Sequence, residues 1–398
     1  MRVLQINVLC GTGSTGRIAT DIHVELKNND HVSMIAFGRG EAKNCDNAYR
    51  ISQPIDHYVD VLKTRLFDKH STSAKQATRA LCATLDTFEP DIVHLHNIHG
   101  YYLNVELLMK QLKLRRIPVI WTLHDCWSFT GHCAYFDSPK CDRWHTGCGS
   151  CPRLHDYPES WLMDRSAKNL SEKKSWFSNF PNLTLVTPSR WLKDLASQSY
   201  LSHYPIQVIP NGIDLTNFKH TDSDLRIKHN IVDKRVYLSV AMVWDRRKGL
   251  DDIVRFAETL TIDEALIVIG LTPKQIEQLP NTMIKIARTS SVKELAEYYS
   301  LADVTVVPSY EDNYPTVVLE SLACGTPVVA YATGGIPEME QSPYLTTVEK
   351  GDLDALGACL RTRTKIQSWS VDVSRFDKTQ SAKAMVALYQ SVLLKKGD

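Results

Sequence analysis

Short apolar, β-branched runs alternate with helix-patterned stretches along this chain, and the alternation occurs twice. In the first half the runs are Val3–Val8, Val32–Phe37, Ile92–Leu95, Val119–Leu123 and Leu183–Thr187, with helical patterns such as Ile18–Asn28 and Val105–Leu114 between them. In the second half they are Val236–Val240, Leu266–Ile269, Ile284–Ile286, Val304–Val307 and Val328–Ala330. Runs with little polar alternation are strands covered on both faces. Strands that alternate with helices pair in parallel and carry helices on both sides of the sheet. Two such series predict two doubly wound α/β domains, and 398 residues suffice for both. The junction reads at "VIPNGID", Val208–Asp214, where Pro-Asn-Gly is turn chemistry and the stretch to Asn230 is polar. The predicted domains are therefore residues 1–215 and 216–398, with the last helix, about Ser381–Lys395, able to pack back on the first.

Composition narrows the function. Hydrophobic residues are 43% and charged residues 23%, the proportions of a packed globular chain. Lys and Arg number 46 against 45 Asp and Glu, a net charge of +1, which argues against a nucleic-acid partner. No charged-then-apolar signal pattern is seen, and no run of about 18 apolar residues that would span a membrane. A cytoplasmic setting is expected, in which ten cysteines are buried or metal-bound thiols rather than disulfides.

The opening stretch "VLQINVLCGTGSTGR" sets Gly11, Gly13 and Gly16 in a GxGxxG spacing between a strand and a helix. Backbone amides of Gly13, Ser14, Thr15 and Gly16 would face an incoming anion there. A dinucleotide site would also need an acidic residue closing the second strand; Ala36-Phe37-Gly38-Arg39 has none. The alternatives are a tight structural turn or a loop that approaches a ligand's phosphate or sugar.

The densest stretch is "PSYEDNYPTVVLESLACGTPVVAYATGGIPE", Pro308–Glu338. A strand ends at Val307, and a helix with an apolar face starts near Thr316. Asp312 and Glu320 therefore bracket a helix start, where the amides near Tyr314, Pro315, Thr316 and Val317 are candidates to meet a phosphate or a sugar hydroxyl. Upstream, "LSVAMVWDRRKGLDDI" puts Arg246, Arg247 and Lys248 just before another helix. Cations at a helix start oppose its dipole, a cost that an anion between them would offset.

These stretches resemble the nucleotide-sugar site of the family 4 retaining glycosyltransferases. Asp312-x7-Glu320 occupies the frame of that family's two glutamates, with Asp in the first position and Glu311 beside it, followed by "GTPVV". Lys248-Gly249 matches the family's Lys-Gly; the position of its arginine falls on Val243, so that Arg246 or Arg247 would take its place. "VIPNGID" and "PSRWLKD", Pro188–Asp194, also match, and the first half resembles sugar transferases of capsule and exopolysaccharide synthesis. The resemblance implies a GT-B fold, two Rossmann-like domains facing across a cleft. It implies a donor site in which Glu320 holds ribose hydroxyls, Asp312 a sugar hydroxyl, and Lys248 with an arginine, Arg247 or Arg246, the diphosphate. The amides of Gly13–Gly16 would face the donor phosphates from the other domain. His124, in "WTLHDCW", would lie beside the reacting sugar, whereas His94 and His96 could equally be core residues. Transfer with retention, from a nucleotide sugar to a glycan or lipid-linked acceptor, without a metal cofactor, is the implied reaction. A sugar-nucleotide epimerase or a non-catalytic binding protein would be the alternatives.

Two features fall outside that frame. Cys133, Cys141, Cys148 and Cys151 follow at gaps of seven, six and two, within an insert spanning 126–157. Four thiols so spaced could enclose a structural zinc ion, or remain unligated or disulfide-bonded. "LLMKQLKLRR", Leu107–Arg116, interleaves cations with leucines and is a candidate for peripheral membrane contact or a solvated surface helix.

Overall fold

The computed structural model describes residues 1–339, 343–363 and 371–395. It divides into two compact units, Met1–Pro210 with the stretch from Ser381 onward, and Asn211–Gln380. Each is built on one parallel sheet with helices connecting its strands.

In the first unit β1 (Arg2–Asn7), β2 (Val32–Phe37), β3 (Ala48–Arg50), β4 (Ile92–Leu95), β5 (Val119–Thr122), β6 (Leu183–Thr187) and β7 (Ile206–Val208) lie in the order β3-β2-β1-β4-β5-β6-β7. In the second, β8 (Arg235–Val240), β9 (Glu264–Ile269), β10 (Met283–Ile286), β11 (Val304–Val307), β12 (Val328–Tyr331) and β13 (Leu345–Val348) lie in the order β10-β9-β8-β11-β12-β13. The strand order reverses between β1 and β4, and again between β8 and β11. Ligands of open α/β sheets bind at the carboxyl ends of strands at such reversals.

The ten predicted strands are present. The three missed, β3, β7 and β13, are sheet edges of three or four residues with incomplete burial. These three are short and only partly covered, so their sequences lack the continuous apolar run of a central strand. The first helix, Gly13–Asn28, starts five residues before the apolar pattern does, and Gly13 to Gly16 form its first turn.

The leucine–lysine stretch forms the helix Val105–Arg115, whose Val105, Leu108, Met109 and Leu112 are buried in the first unit's core. Its apolar face is spent on the fold, and Arg115 pairs with Asp86 at 2.9 Å. The last helix, Lys378–Leu394, contributes Ala382, Met385, Val386 and Tyr389 to a cluster with Val3, Ile22, Leu26, Ile92, Ile120 and Val186 of the first unit. No helix among the described residues is long and apolar enough to cross a membrane.

Candidate active site

In the second unit the site is assembled from the turns after β8 and β11. Asp245 caps a short turn by accepting the Lys248 amide at 3.0 Å, and the turn leads into the helix Leu250–Glu258. Gly249 has φ +74, and a Cβ there would overlap the Pro308 carbonyl, so this position needs glycine. The turn is laced to the loop after β11: the Tyr310 amide donates to the Arg247 carbonyl at 2.8 Å, and the Arg247 guanidinium to the Glu311 carbonyl at 3.1 Å. Lys248 Nζ donates to Asp312 Oδ2 at 2.5 Å. Arg247 is thus the arginine turned toward the loop, while Arg246 is exposed.

Asp312 is buried, and burial alone would raise its pKa; the charges of Lys248 and Arg247 outweigh this and hold the carboxyl below its ordinary range. The ion pair also balances the cations that precede the helix Leu250–Glu258, whose first turn carries Asp251 and Asp252.

After the loop comes the helix Thr316–Ala323, with Pro315 at its N-cap and no side-chain cap. Tyr314, Thr316 and Val317 keep amide donors here; Pro315 has none and cannot serve as one. Glu320 is buried in this helix and accepts from the Tyr299 hydroxyl at 3.0 Å. The structure therefore joins Arg247, Lys248, Glu311 and Asp312 in one network, and engages Glu320 through Tyr299.

Two supports were missed from the sequence. Buried Asp252 accepts hydroxyl hydrogen bonds from Tyr310 and Tyr331, each at 2.7 Å, tying the loop after β11 to the helix Leu250–Glu258. Gly334, at φ +55, lies where a Cβ would overlap the Asp312 carbonyl, and the Gly335 amide donates to the Asn313 carbonyl at 2.8 Å. The signal was present as paired acids in a first turn and as "TGG" after β12.

In the first unit, the turn after β1 opens the helix Gly13–Asn28. Gly11 and Gly13 have positive φ, and a Cβ on Gly11 would overlap the Lys43 carbonyl. Ser14, Thr15 and Gly16 follow in the first turn, which has no side-chain cap and no acidic residue. His94 and His96, in and just after β4, are core residues: His94 lies 2.7 Å from the Tyr389 hydroxyl and 2.8 Å from Thr122 Oγ1, and His96 lies 3.1 Å from Gln5 Oε1. His124, two residues after β5, is partly exposed, with its Nε2 3.3 Å from His96 Nδ1. Burial pulls its pKa down to about 4, against the opposing charge of Asp125, so the ring is neutral near pH 7. Asp125 pairs with His99 at 3.0 Å.

Cys133, Cys141, Cys148 and Cys151 line one cavity of the insert, together with Phe136 and Trp144. All four are free thiols. No three His, Cys, Asp or Glu side chains among the described residues are grouped as a bound metal ion would require.

Two parallel-sheet units of this kind define a class, the GT-B glycosyltransferase fold. The chain is similar to sucrose-phosphate synthase from Thermosynechococcus elongatus, with a TM-score of 0.65 and 16% identity over 100% of this chain and 98% of the other. It is also similar to Anabaena HepE solved with UDP and glucose, with a TM-score of 0.68 and 15% identity over 98% of this chain and 100% of the other.

In sequence, residues 15–217 match the model of Glycosyltransferase Family 4, and residues 234–362 that of Glycosyl transferases group 1. The chain belongs to glycosyltransferase family 4. Among its relatives is the Escherichia coli (strain K12) protein provisionally named the colanic acid biosynthesis glycosyl transferase WcaC, 26% identical over 89% of this chain and 88% of that one. Another is a Bacillus subtilis (strain 168) protein provisionally named the teichuronic acid biosynthesis glycosyltransferase TuaC, 25% identical over 48% of this chain and 52% of that one.

Proposed function

We propose that this glycosyltransferase moves a sugar from a nucleotide-sugar donor, with retention of configuration, to a glycan or lipid-linked acceptor during synthesis of a cell-surface polysaccharide in the cytoplasm. The single observation that carries the donor reading is the network of Arg247, Lys248 and Asp312 at the carboxyl ends of β8 and β11. The names of WcaC and TuaC support the polysaccharide context. The HepE structures, solved with UDP or UDP-glucose, support the donor class.

Breaking a sugar–phosphate bond builds positive charge on the anomeric carbon and negative charge on the departing diphosphate. Lys248 and Arg247, with the amides of Thr316 and Val317, would meet that negative charge already oriented, so little reorganisation is needed during the reaction. This arrangement supplies cationic stabilisation from side chains, without asking a metal to provide it. Asp312 would orient Lys248 and accept from a sugar hydroxyl, and Glu320 would hold ribose hydroxyls. In the first unit, neutral His124 is suited to hydrogen-bond a hydroxyl of the reacting sugar. The four thiols of the insert are proposed as a structural zinc site, supported by their shared cavity; binding would draw their sulfurs together.

The test is transfer from a panel of UDP- and GDP-sugars, read as nucleotide release and glycosylated product. Lys248→Ala is expected to lower the turnover rate by about 10²–10³ with the fold retained. Wild-type turnover by that variant would refute the donor site, and isomerisation of the donor without an acceptor would mark an epimerase.

A further inference from the structure

Two cysteines distant in sequence meet just ahead of the glycine turn in the first unit. Cys10, after β1, is buried in a small cluster with Ala19, Ile35 and Phe37, and half-buried Cys45, from the loop between β2 and β3, packs against it. The backbone fixes this approach. The Lys43 amide donates to the Cys10 carbonyl at 3.2 Å, and Gly11 lies against the Lys43 carbonyl where a Cβ would overlap it. Cys45 Sγ is 3.7 Å from His23 Nε2, which is 2.9 Å from Asp46 Oδ1. The other ring nitrogen, Nδ1, is 2.9 Å from Ser33 Oγ, and the second Asp46 oxygen is held by Lys27. Two thiols, an imidazole and a carboxylate thus run in one chain from the core to the surface.

Charge sets Cys45 apart from the other thiols. Burial pushes up Cys82, Cys133, Cys148, Cys151 and Cys324. At Cys45 the hydrogen bond from the Cys10 thiol, with further ones from His23 and the Asn47 amide, overcomes burial and brings the pKa down to about 5. The same thiol–thiol hydrogen bond pushes Cys10 up, so the proton stays there. Burial opposes charge on His23, but Cys45 and Asp46 outweigh it and raise its pKa. The cluster favours a thiolate beside an imidazolium, with a protonated thiol in reserve.

We propose that Cys45 and Cys10 are a reversible oxidation site for hydrogen peroxide, which closes to an intramolecular disulfide. The Cys45 thiolate attacks one peroxide oxygen. An S–O bond forms, the O–O bond breaks, and the departing hydroxide takes a proton from His23 and leaves as water. Cys45 is then a sulfenic acid, oxidised by two electrons. The Cys10 sulfur attacks the Cys45 sulfur, the S–O bond breaks, and the hydroxide leaves with the Cys10 proton as a second water. A thiol reductant restores both cysteines by exchange. Peroxide is small enough to reach a half-buried sulfur, and Cys45 sits between exposed Asn44 and Asp46. The disulfide would tie the loop between β2 and β3 to the residue before the glycine turn. The inference concerns these thiols alone and stands independently of the donor-site reading.

The experiment treats the reduced full chain with equimolar hydrogen peroxide, blocks the remaining thiols with N-ethylmaleimide, and maps the peptides by mass spectrometry. A Cys10–Cys45 crosslink lighter by two hydrogens is expected, and dithiothreitol should remove it. Cys10→Ala should stop the reaction at a Cys45 sulfenic acid that dimedone captures, and Cys45→Ser should leave Cys10 reduced. Between pH 6 and pH 8 an ordinary thiol gains roughly 70-fold in its rate of alkylation by iodoacetamide, whereas Cys45 should change less than about twofold. His23→Gln, with an unchanged circular dichroism spectrum, should restore a rise of at least about fivefold. Cys10 and Cys45 left unlinked by peroxide would overturn the proposal, as would oxidation of Cys10 in Cys45→Ser or an ordinary pH profile for Cys45 in the wild type. A flat profile in His23→Gln would overturn the part given to His23.

Discussion

Opposed electrostatic effects decide the state of the residues at both sites. Asp312 stays ionised because two neighbouring cations outweigh the cost of burial; the cluster around His94 has no such compensation. Burial takes His94 down to about 3, with the charge of His124 adding to it, and takes His124 to about 4, from an ordinary value of 6.5. In the unfolded chain these imidazoles protonate near pH 6.5, whereas in the folded first unit they resist. Their effect on stability is therefore absent above about pH 6.5 and becomes a loss as the pH falls toward 4, of about 1.4 kcal/mol per pH unit for each histidine. The urea midpoint of unfolding should drop between pH 7 and pH 5, and His94→Gln should flatten that slope. An identical slope in the variant would show that His94 does not titrate in this way.

Among the elements, the insert after β5 is anchored by its aromatic side chains. Trp127, Phe129, Phe136 and Trp144 join the first unit's core. Lys173 is buried beneath the insert, donating to the Trp127 and Thr130 carbonyls at 2.7 and 3.1 Å with its ammonium 3.7 Å from the Trp127 ring centre. Burial pulls its pKa down to about 7. The zinc proposal predicts about one zinc per chain in protein purified under reducing conditions, with Cys133, Cys141, Cys148 and Cys151 shielded from alkylation until the metal is chelated. Zinc-free protein whose four thiols react freely would refute it. Chelation should lower the melting temperature without unfolding the chain, because the aromatic core of the insert persists. The loop after β11 depends in turn on glycines: Gly249 and Gly334 each lie where any side chain would collide with backbone.

For the molecule as a whole, the first unit is discontinuous in sequence. Its cluster of Val3, Ile22, Leu26, Ile92, Ile120 and Val186 is completed by residues nearly three hundred positions beyond β4, chiefly Met385, Val386 and Tyr389. Tyr389→Ala should cost about 3–5 kcal/mol of stability, measured by denaturant unfolding, since it opens a cavity and removes the hydroxyl beside His94. A shift under 1 kcal/mol would mean the last helix is dispensable to that core. Local chemistry determined much of this protein by itself. Continuous apolar runs are forced into covered parallel strands, and Asp312-x7-Glu320 with Lys248-Gly249 carried the resemblance to the family's nucleotide-sugar site, because the spacing within each strand–turn–helix survives folding. Tertiary structure alone decided what depends on partners distant in sequence. It set the edge strands β3, β7 and β13, whose half-covered residues carry no distinctive pattern. It turned Arg247 rather than Arg246 toward the loop, and supported that loop on Asp252 and Gly334. It buried Leu108 and Leu112 of Val105–Arg115 and left Leu62 of Pro54–Phe67 outside. An apolar stripe states that a face must be covered; only the packing of the other elements determines whether the protein itself covers it.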